Sequence, residues 1–294
     1  MRALAAIMAA TCLLLPSAAA QPAPNRVFVD ASNAAGRPVL DLRADEFEIT
    51  DNGESVAVSS AKLGRRPASL VLVVDSSEGI RGPIGMVRSA LTAFVAAIEP
   101  EIEIMLVSVA GTPQVRVRPT LARAPVLDSV SNIFGTSGAN VMHRVIDDLF
   151  HRFAQTTDYR PIFVILTTEV RESTQNVNPQ EIRHVTDHFA ARGGTLHAIR
   201  LTVPASPSSI RSGNLTEMPV SLMIGRDTGG AYTIISPAGL LEVMQRLAAA
   251  INDRHASMLN YEIQFAAAPG QRKRGAPSVR VLRDGVVLNV ISTP

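Results

Sequence analysis

From Ala68 to about residue 256 the chain alternates short apolar runs with segments whose apolar residues recur every three or four positions. Leu70-Val71-Leu72-Val73-Val74 is apolar throughout, the pattern of a strand buried on both faces. Ile102–Val109, Pro161–Thr167, Leu196–Leu201 and Tyr232–Ile235 read as further strands, and Gln114–Arg118 as an edge strand. Ile84, Val87, Leu91, Phe94, Val95 and Ile98 have helical spacing and predict a helix over Pro83–Ile98. Further helices are expected over Val141–Phe153, Glu181–Ala191, Val220–Arg226 and Gly239–Ile251. Such alternation predicts an α/β fold, a doubly wound and mostly parallel Rossmann-like sheet with helices on both faces. Ligands of such sheets sit at the carboxyl ends of the strands.

The flanks carry a different pattern. Residues 25–64 read as a β-module: Arg26–Val29 is β-prone, Phe47–Thr50 alternates, and Asn52-Gly53 is a hairpin signal because that pair tolerates positive φ. Gly64–Pro67 reads as a linker into an α/β domain spanning 68–256. In the last segment, 258–294, Asn260–Phe265 alternates, and Arg283-Asp284-Gly285 reads as a hairpin between Val279–Leu282 and Val286–Val290. The two β segments are expected to pair as one small β-sandwich with the α/β domain inserted between them.

Composition narrows the setting. Residues 1–20 have one early positive charge, an apolar stretch from Ala3 to Leu15, and Ala18 and Ala20 in A-x-A spacing. This is the pattern of a cleaved secretory signal, too short to span a membrane. The expected location is therefore periplasmic or extracellular. Cys12, the sole cysteine, lies inside that stretch, so the mature chain is expected to have no disulfide and no thiol chemistry. No later run reaches the ~18 apolar residues of a transmembrane helix. A net charge of +2 with 18% charged residues gives no electrostatic basis for nucleic-acid binding.

The candidate chemistry starts at Ser69–Gly82, "SLVLVVDSSEGIRG", where the apolar strand ends on Asp75 and delivers Ser76 and Ser77 to its carboxyl end. This turn, the order of elements and "TGGAYTIISPAGLLEVMQRLAAAINDRHASMLNYEIQF" resemble the von Willebrand factor A (VWFA) domain. "GRPVLDLRADEFEITDNGESVAVSSA" is similar to the segment preceding that domain in bacterial VWFA-related proteins typical of acidobacteria. The resemblance implies a metal-ion-dependent adhesion site. Its oxygen ligands come from D-x-S-x-S after the first strand, a threonine in a later loop, and an aspartate after the fourth strand. Mg²⁺ needs about six hard oxygen ligands. Asp75 and Ser77 match the first two positions, but Gly79 stands at the second serine. Ser137-Gly138-Ala139 replaces the threonine loop, with Thr136 adjacent, and Thr168 replaces the aspartate, with Glu169 one residue on. The site is thus read as degenerate, with no metal or other cofactor expected. The alternative is a weak Mg²⁺, Mn²⁺ or Ca²⁺ site built from Asp75, Ser77, Thr136 and Glu169. Asp75 is otherwise expected to cap its turn by accepting backbone N–H bonds.

His184 and His188 share a helix face beside Asp187 but lack the glutamate of H-E-x-x-H. His143 with Ser76 or Ser77 would suit a secreted hydrolase, yet no G-x-S-x-G surrounds the serines and no phosphate-binding loop is present. The chain is therefore expected to be a non-enzymatic protein-interaction module with an unidentified protein partner. Its expected binding surface comprises Asp75, Ser77, Glu78, Gly79, Thr136, Ser137, Asn140, Thr168 and Glu169. Metal-dependent adhesion and hydrolysis are the alternatives.

Overall fold

The computed structural model describes residues 25–51, 53–110, 112–136, 148, 159–168, 179–202, 220–266 and 277–292. The chain opens with β1 (Asn25–Asn33), β2 (Phe47–Asp51), β3 (Glu54–Val56) and β4 (Val58–Arg65). Then follow β5 (Ala68–Asp75), α1 (Ile84–Ala97), β6 (Glu103–Ala110), β7 (Thr112–Thr120), α2 (Arg123–Ser131) and β8 (Arg160–Thr167). Next come α3 (Pro179–Ala191), β9 (Thr195–Leu201), α4 (Val220–Asp227), β10 (Tyr232–Ile235) and α5 (Leu240–Ser257). The chain closes with β11 (Leu259–Phe265), β12 (Ser278–Val281) and β13 (Val286–Ser292).

Six strands form one sheet in the order β10-β9-β8-β5-β6-β7, parallel except for β7, which runs antiparallel to β6 at one edge. β5 and β8 are buried at every residue, which is why their sequences show no polar alternation. The pleat still sorts them. Leu70, Leu72 and Val74 pack on one face with α1, α2 and α5, whereas Val71 and Val73 pack on the other with Val185 and Phe189 of α3 and Ile224 of α4. Helices thus cover both faces of the sheet.

The flanking strands build two antiparallel sheets, β13-β1-β11-β4 and β12-β2-β3. Each sheet therefore combines strands from before and after the α/β segment, alternating in the four-stranded one, and Val27, Val29, Phe47, Ile49, Tyr261 and Ile263 share one core between them. Tyr261 also ties its loop down: its hydroxyl accepts from Leu42 N at 2.8 Å and donates to Val39 O at 3.2 Å.

Three sequence readings change. Gly64-Arg65 is no linker but the end of β4, held because Arg65 pairs with Leu259 and Gly64 with Asn260. The Asp284-Gly285 turn exists, with Gly285 at φ 73°, but joins strands of different sheets. Arg283 explains the path: ion pairs to Glu46 and Asp41, both at 2.7 Å, hold the turn beside β2. Finally, α2 went unread. Its helix buries only Val126 and Val130, and Pro125 is tolerated because it lies in the first turn. The helix expected over Val141–Phe153 lies outside the described residues save for Asp148.

Candidate functional site at the carboxyl end of the sheet

β5 delivers Asp75 to the centre of the sheet's carboxyl edge, where it is fully buried. Both carboxylate oxygens are occupied. Oδ1 accepts from Ser77 N at 2.8 Å, the turn-capping bond. Oδ2 accepts from Thr168 N at 2.8 Å and from the Thr168 hydroxyl. Thr168 stands one residue past β8, so the parallel pairing of β5 with β8 brings it to Asp75. Its hydroxyl proton is committed to the carboxylate, and the Ser77 hydroxyl lies 3.5 Å away on its acceptor side.

Gly79 and Thr168 are sterically linked. A Cβ added at Gly79 would lie 2.7 Å from Thr168 Oγ1 and 3.1 Å from its Cβ. The residue that displaces the expected aspartate therefore also excludes the serine expected at position 79. Thr136 is committed elsewhere: its N–H and hydroxyl both donate to Ser76 O, at 2.7 and 3.1 Å. The structure thus brings Asp75, Ser77, Gly79 and Thr168 together and places Thr136 against the adjoining backbone. Ser137, Asn140, Glu169 and His143 lie outside the described residues, as do residues 203–219.

Asp75 and Ser77 are buried, so the accessible part of this edge is formed by other groups. Glu78 and Thr136 are exposed, and Phe134 is 61% exposed. The segment after α2 is clamped by two arginines. Arg88 donates to Ile133 O from Nε at 3.0 Å and from Nη2 at 2.6 Å, and Arg81 Nε donates to Gly135 O at 3.2 Å. Arg88 also lies 4.8 Å from the Phe134 ring centroid, a cation–π contact of about 0.5–1 kcal/mol at an exposed site. A cleft of about 330 Å³ opens beside it, lined by Ser76, Ser108, Gln114, Arg116, Asn132 and Thr136. Sequence reading missed Phe134, Arg81 and Arg88. An aromatic just beyond the unread helix was the available signal.

His184 and His188 stack edge to face at 4.3 Å on α3. Among the described residues, the acid and imidazole groups close enough to share one ion are Glu99, Glu101 and His255. A guanidinium already serves them: Arg65 Nη1 lies 3.0 Å from Glu99 and 2.5 Å from Glu101.

No protein-family model matches the chain, and no curated protein matches its sequence. Solved structures do overlap. A von Willebrand factor type A protein from Catenulispora acidiphila gives a TM-score of 0.49 at 11% identity, covering 93% of this chain and 74% of its own. The vWF domain of the type V pili tip protein Mfa5 from Porphyromonas gingivalis gives 0.47 at 13% identity, covering 65% and 97%. The conserved hypothetical protein BatB from Bacteroides thetaiotaomicron gives 0.47 at 10% identity, covering 65% and 100%. With each of these TM-scores below 0.5, strand order and helix placement in the chain itself carry the fold. A mostly parallel six-stranded sheet, an antiparallel edge, helices on both faces and an aspartate-serine turn at the end of the central β5 make this region von Willebrand factor A-like in architecture.

Proposed function

We propose that this chain is an exported, non-enzymatic protein-interaction module that engages its partner at the carboxyl edge of the sheet without a bound cation. The donation of the Thr168 hydroxyl and amide to Asp75 carries this reading. A cation binding Asp75 would displace charge-assisted bonds already made in a buried setting, and it would find no side-chain oxygen at Gly79. Mg²⁺ sheds water reluctantly and is poorly served by one carboxylate and one hydroxyl. Recognition then rests on shape and polar contacts around Phe134, Glu78, Thr136 and the adjoining cleft. Aromatic residues and arginine are enriched at protein interfaces. Export rests on the amino-terminal sequence pattern. Among the described residues no helix is long and apolar enough to cross a membrane.

A thermal melt of the mature protein in EDTA, and in millimolar Mg²⁺, Mn²⁺ or Ca²⁺, tests the metal-free reading. A ligand specific for the folded state adds about 2.7 kcal/mol at a hundredfold excess over Kd. We expect no shift with any of the three ions. A rise of several degrees that Asp75→Ala abolishes would overturn the proposal. The surface itself is tested with a photo-crosslinker at Phe134 and, as control, at Val287 of β13, in the cells that make the protein. A discrete adduct at 134 alone is expected; one at 287 alone would move the interface to the β-module.

A further inference from the structure

The opposite end of the same sheet holds a second buried charge. β8 begins with Arg160, paired with Ala68 on β5, and its residue is 2% exposed. Its Nη2 lies 3.2 Å from Nδ1 of His255 on α5. A guanidinium only donates, so Nδ1 accepts, and a neutral ring carries its proton on Nε2, 3.2 Å from Glu101. Glu101 is itself paired with Arg65 at 2.5 Å. Arg160 thus rests on a neutral imidazole, and no carboxylate among the described residues pairs with it. Burial, with Arg254 nearby, pulls its pKa down to about 10. A buried ion without a counterion costs several kcal/mol.

A cavity of about 100 Å³ opens beside Arg160, between the α/β region and the flanking sheets. Arg66, Arg160 and Arg192 line it against a single acid, Asp30, and Asn260 and Asn289 supply amides. Asp30 accepts from Asn260 Nδ2, and burial is the main cause raising its carboxyl pKa. Arg66 Nη1 donates to Arg192 O at 2.9 Å, which holds that wall in place. One water needs about 10–15 Å³ of cavity volume, so the space takes several waters or one tetrahedral ion.

We propose that this cavity binds a small inorganic oxyanion, phosphate or sulfate, with Arg160 as its principal cationic partner. Guanidinium groups match such oxygens in parallel pairs of hydrogen bonds. The ion would neutralise Arg160 and tie β8 to β1 and β11 through Asp30 and Asn260. Phosphate can give its remaining P–OH proton to Asp30, whereas sulfate, fully ionised, cannot.

The test titrates sodium phosphate and sodium sulfate to 10 mM at pH 7.5, with ionic strength held by NaCl, and follows Tm of the full chain. A saturable rise with either anion, absent in chloride alone, is expected. A response to phosphate only would mark the P–OH bond to Asp30, and a response to sulfate a site for full ionisation. Arg160→Met should weaken the apparent affinity at least tenfold. Asp30→Asn keeps an acceptor for Asn260 but removes the charge that repels a fully ionised anion, and should tighten sulfate binding severalfold. Arg116→Met, in the cleft at the other end, should leave it unchanged. No saturable rise in the unaltered protein, or the same rise in Arg160→Met, would overturn the proposal. Were Arg160→Met unfolded, Asp30→Asn decides alone: unchanged or weaker sulfate binding ends it.

Discussion

Asp75 and Arg160 lie on adjacent strands at opposite ends of one sheet, and both are almost completely buried. Asp75 is surrounded by donors from its own turn and from the end of β8. Among the described residues Arg160 has one neutral side-chain acceptor and shares its surroundings with Arg254 and His197. The carboxyl end, where ligands of such folds usually sit, is internally satisfied; the amino end carries the surplus charge. Burial alone therefore does not mark a binding site. Whether a buried charge has its partners within the chain decides which end has need of an external ion.

Removal of each charge separates the two ends most clearly. Asp75→Ala leaves Ser77 N, Thr168 N and the Thr168 hydroxyl without their acceptor. At ~1.5–3 kcal/mol for a bond to a charged group, the loss should be about 4 kcal/mol in urea unfolding. A loss below about 1 kcal/mol would erase the contrast, since Asp75 would not then be held as described.

Acid should act on the amino end next. His197 is 8% exposed, accepts from Ala231 N at 3.1 Å, and has a pKa lowered to about 4 by burial, then by Arg254 and Arg160. His255 is also lowered, by burial first and Arg160 second. Between the folded and unfolded pKa values the unfolded chain binds more protons. Stability is thus complete above the unfolded value near 6.5 and falls as pH drops toward 4. His197 alone should contribute about 3 kcal/mol to that fall, at ~1.36 kcal/mol per pH unit. Urea midpoints measured from pH 7 to 4 check this, and His197→Asn should flatten the curve. An unchanged slope in that variant would remove His197 as the cause.

A double-mutant cycle sharpens the account of the carboxyl end. Gly79→Ser should cost about 2 kcal/mol, because its Cβ meets Thr168 and overpacking typically costs 1–3 kcal/mol. With Thr168→Gly already in place the added cost should largely vanish. Additive losses would mean the two positions are not coupled. The smallest effect falls to Arg160→Met. Exchange of an unpaired buried ion for an apolar chain, with one imidazole acceptor left over, should shift stability by no more than about 1 kcal/mol.

The sequence reveals the α/β segment well because β5, β8 and the helix α1 are written locally, in apolar runs and in helical spacing. It conceals strand partners. Nothing near Asp284-Gly285 indicates that β12 joins β2 while β13 joins β1, and nothing near Gly64 marks it as the neighbour of Asn260. At the site, Asp75 as a turn cap can be read from its own tetrapeptide. Thr168 can be read only as a missing ligand, because its service to Asp75 and its exclusion of a side chain at Gly79 act across a separation of about 90 residues.

The interleaving of β1 and β2 with β11, β12 and β13 has a consequence for how the chain comes to be folded. The bond from Leu42 N to the Tyr261 hydroxyl spans 219 positions. A ribosome or an export channel releases the amino end first, so β1 and β4 emerge long before β11, which belongs between them. The α/β segment can complete its sheet in that interval, whereas the earliest strands must wait as unpaired edges open to other chains. The first part of the molecule to be made is thus the last to be finished, and a carboxyl-terminal truncation before Leu259 would expose it permanently.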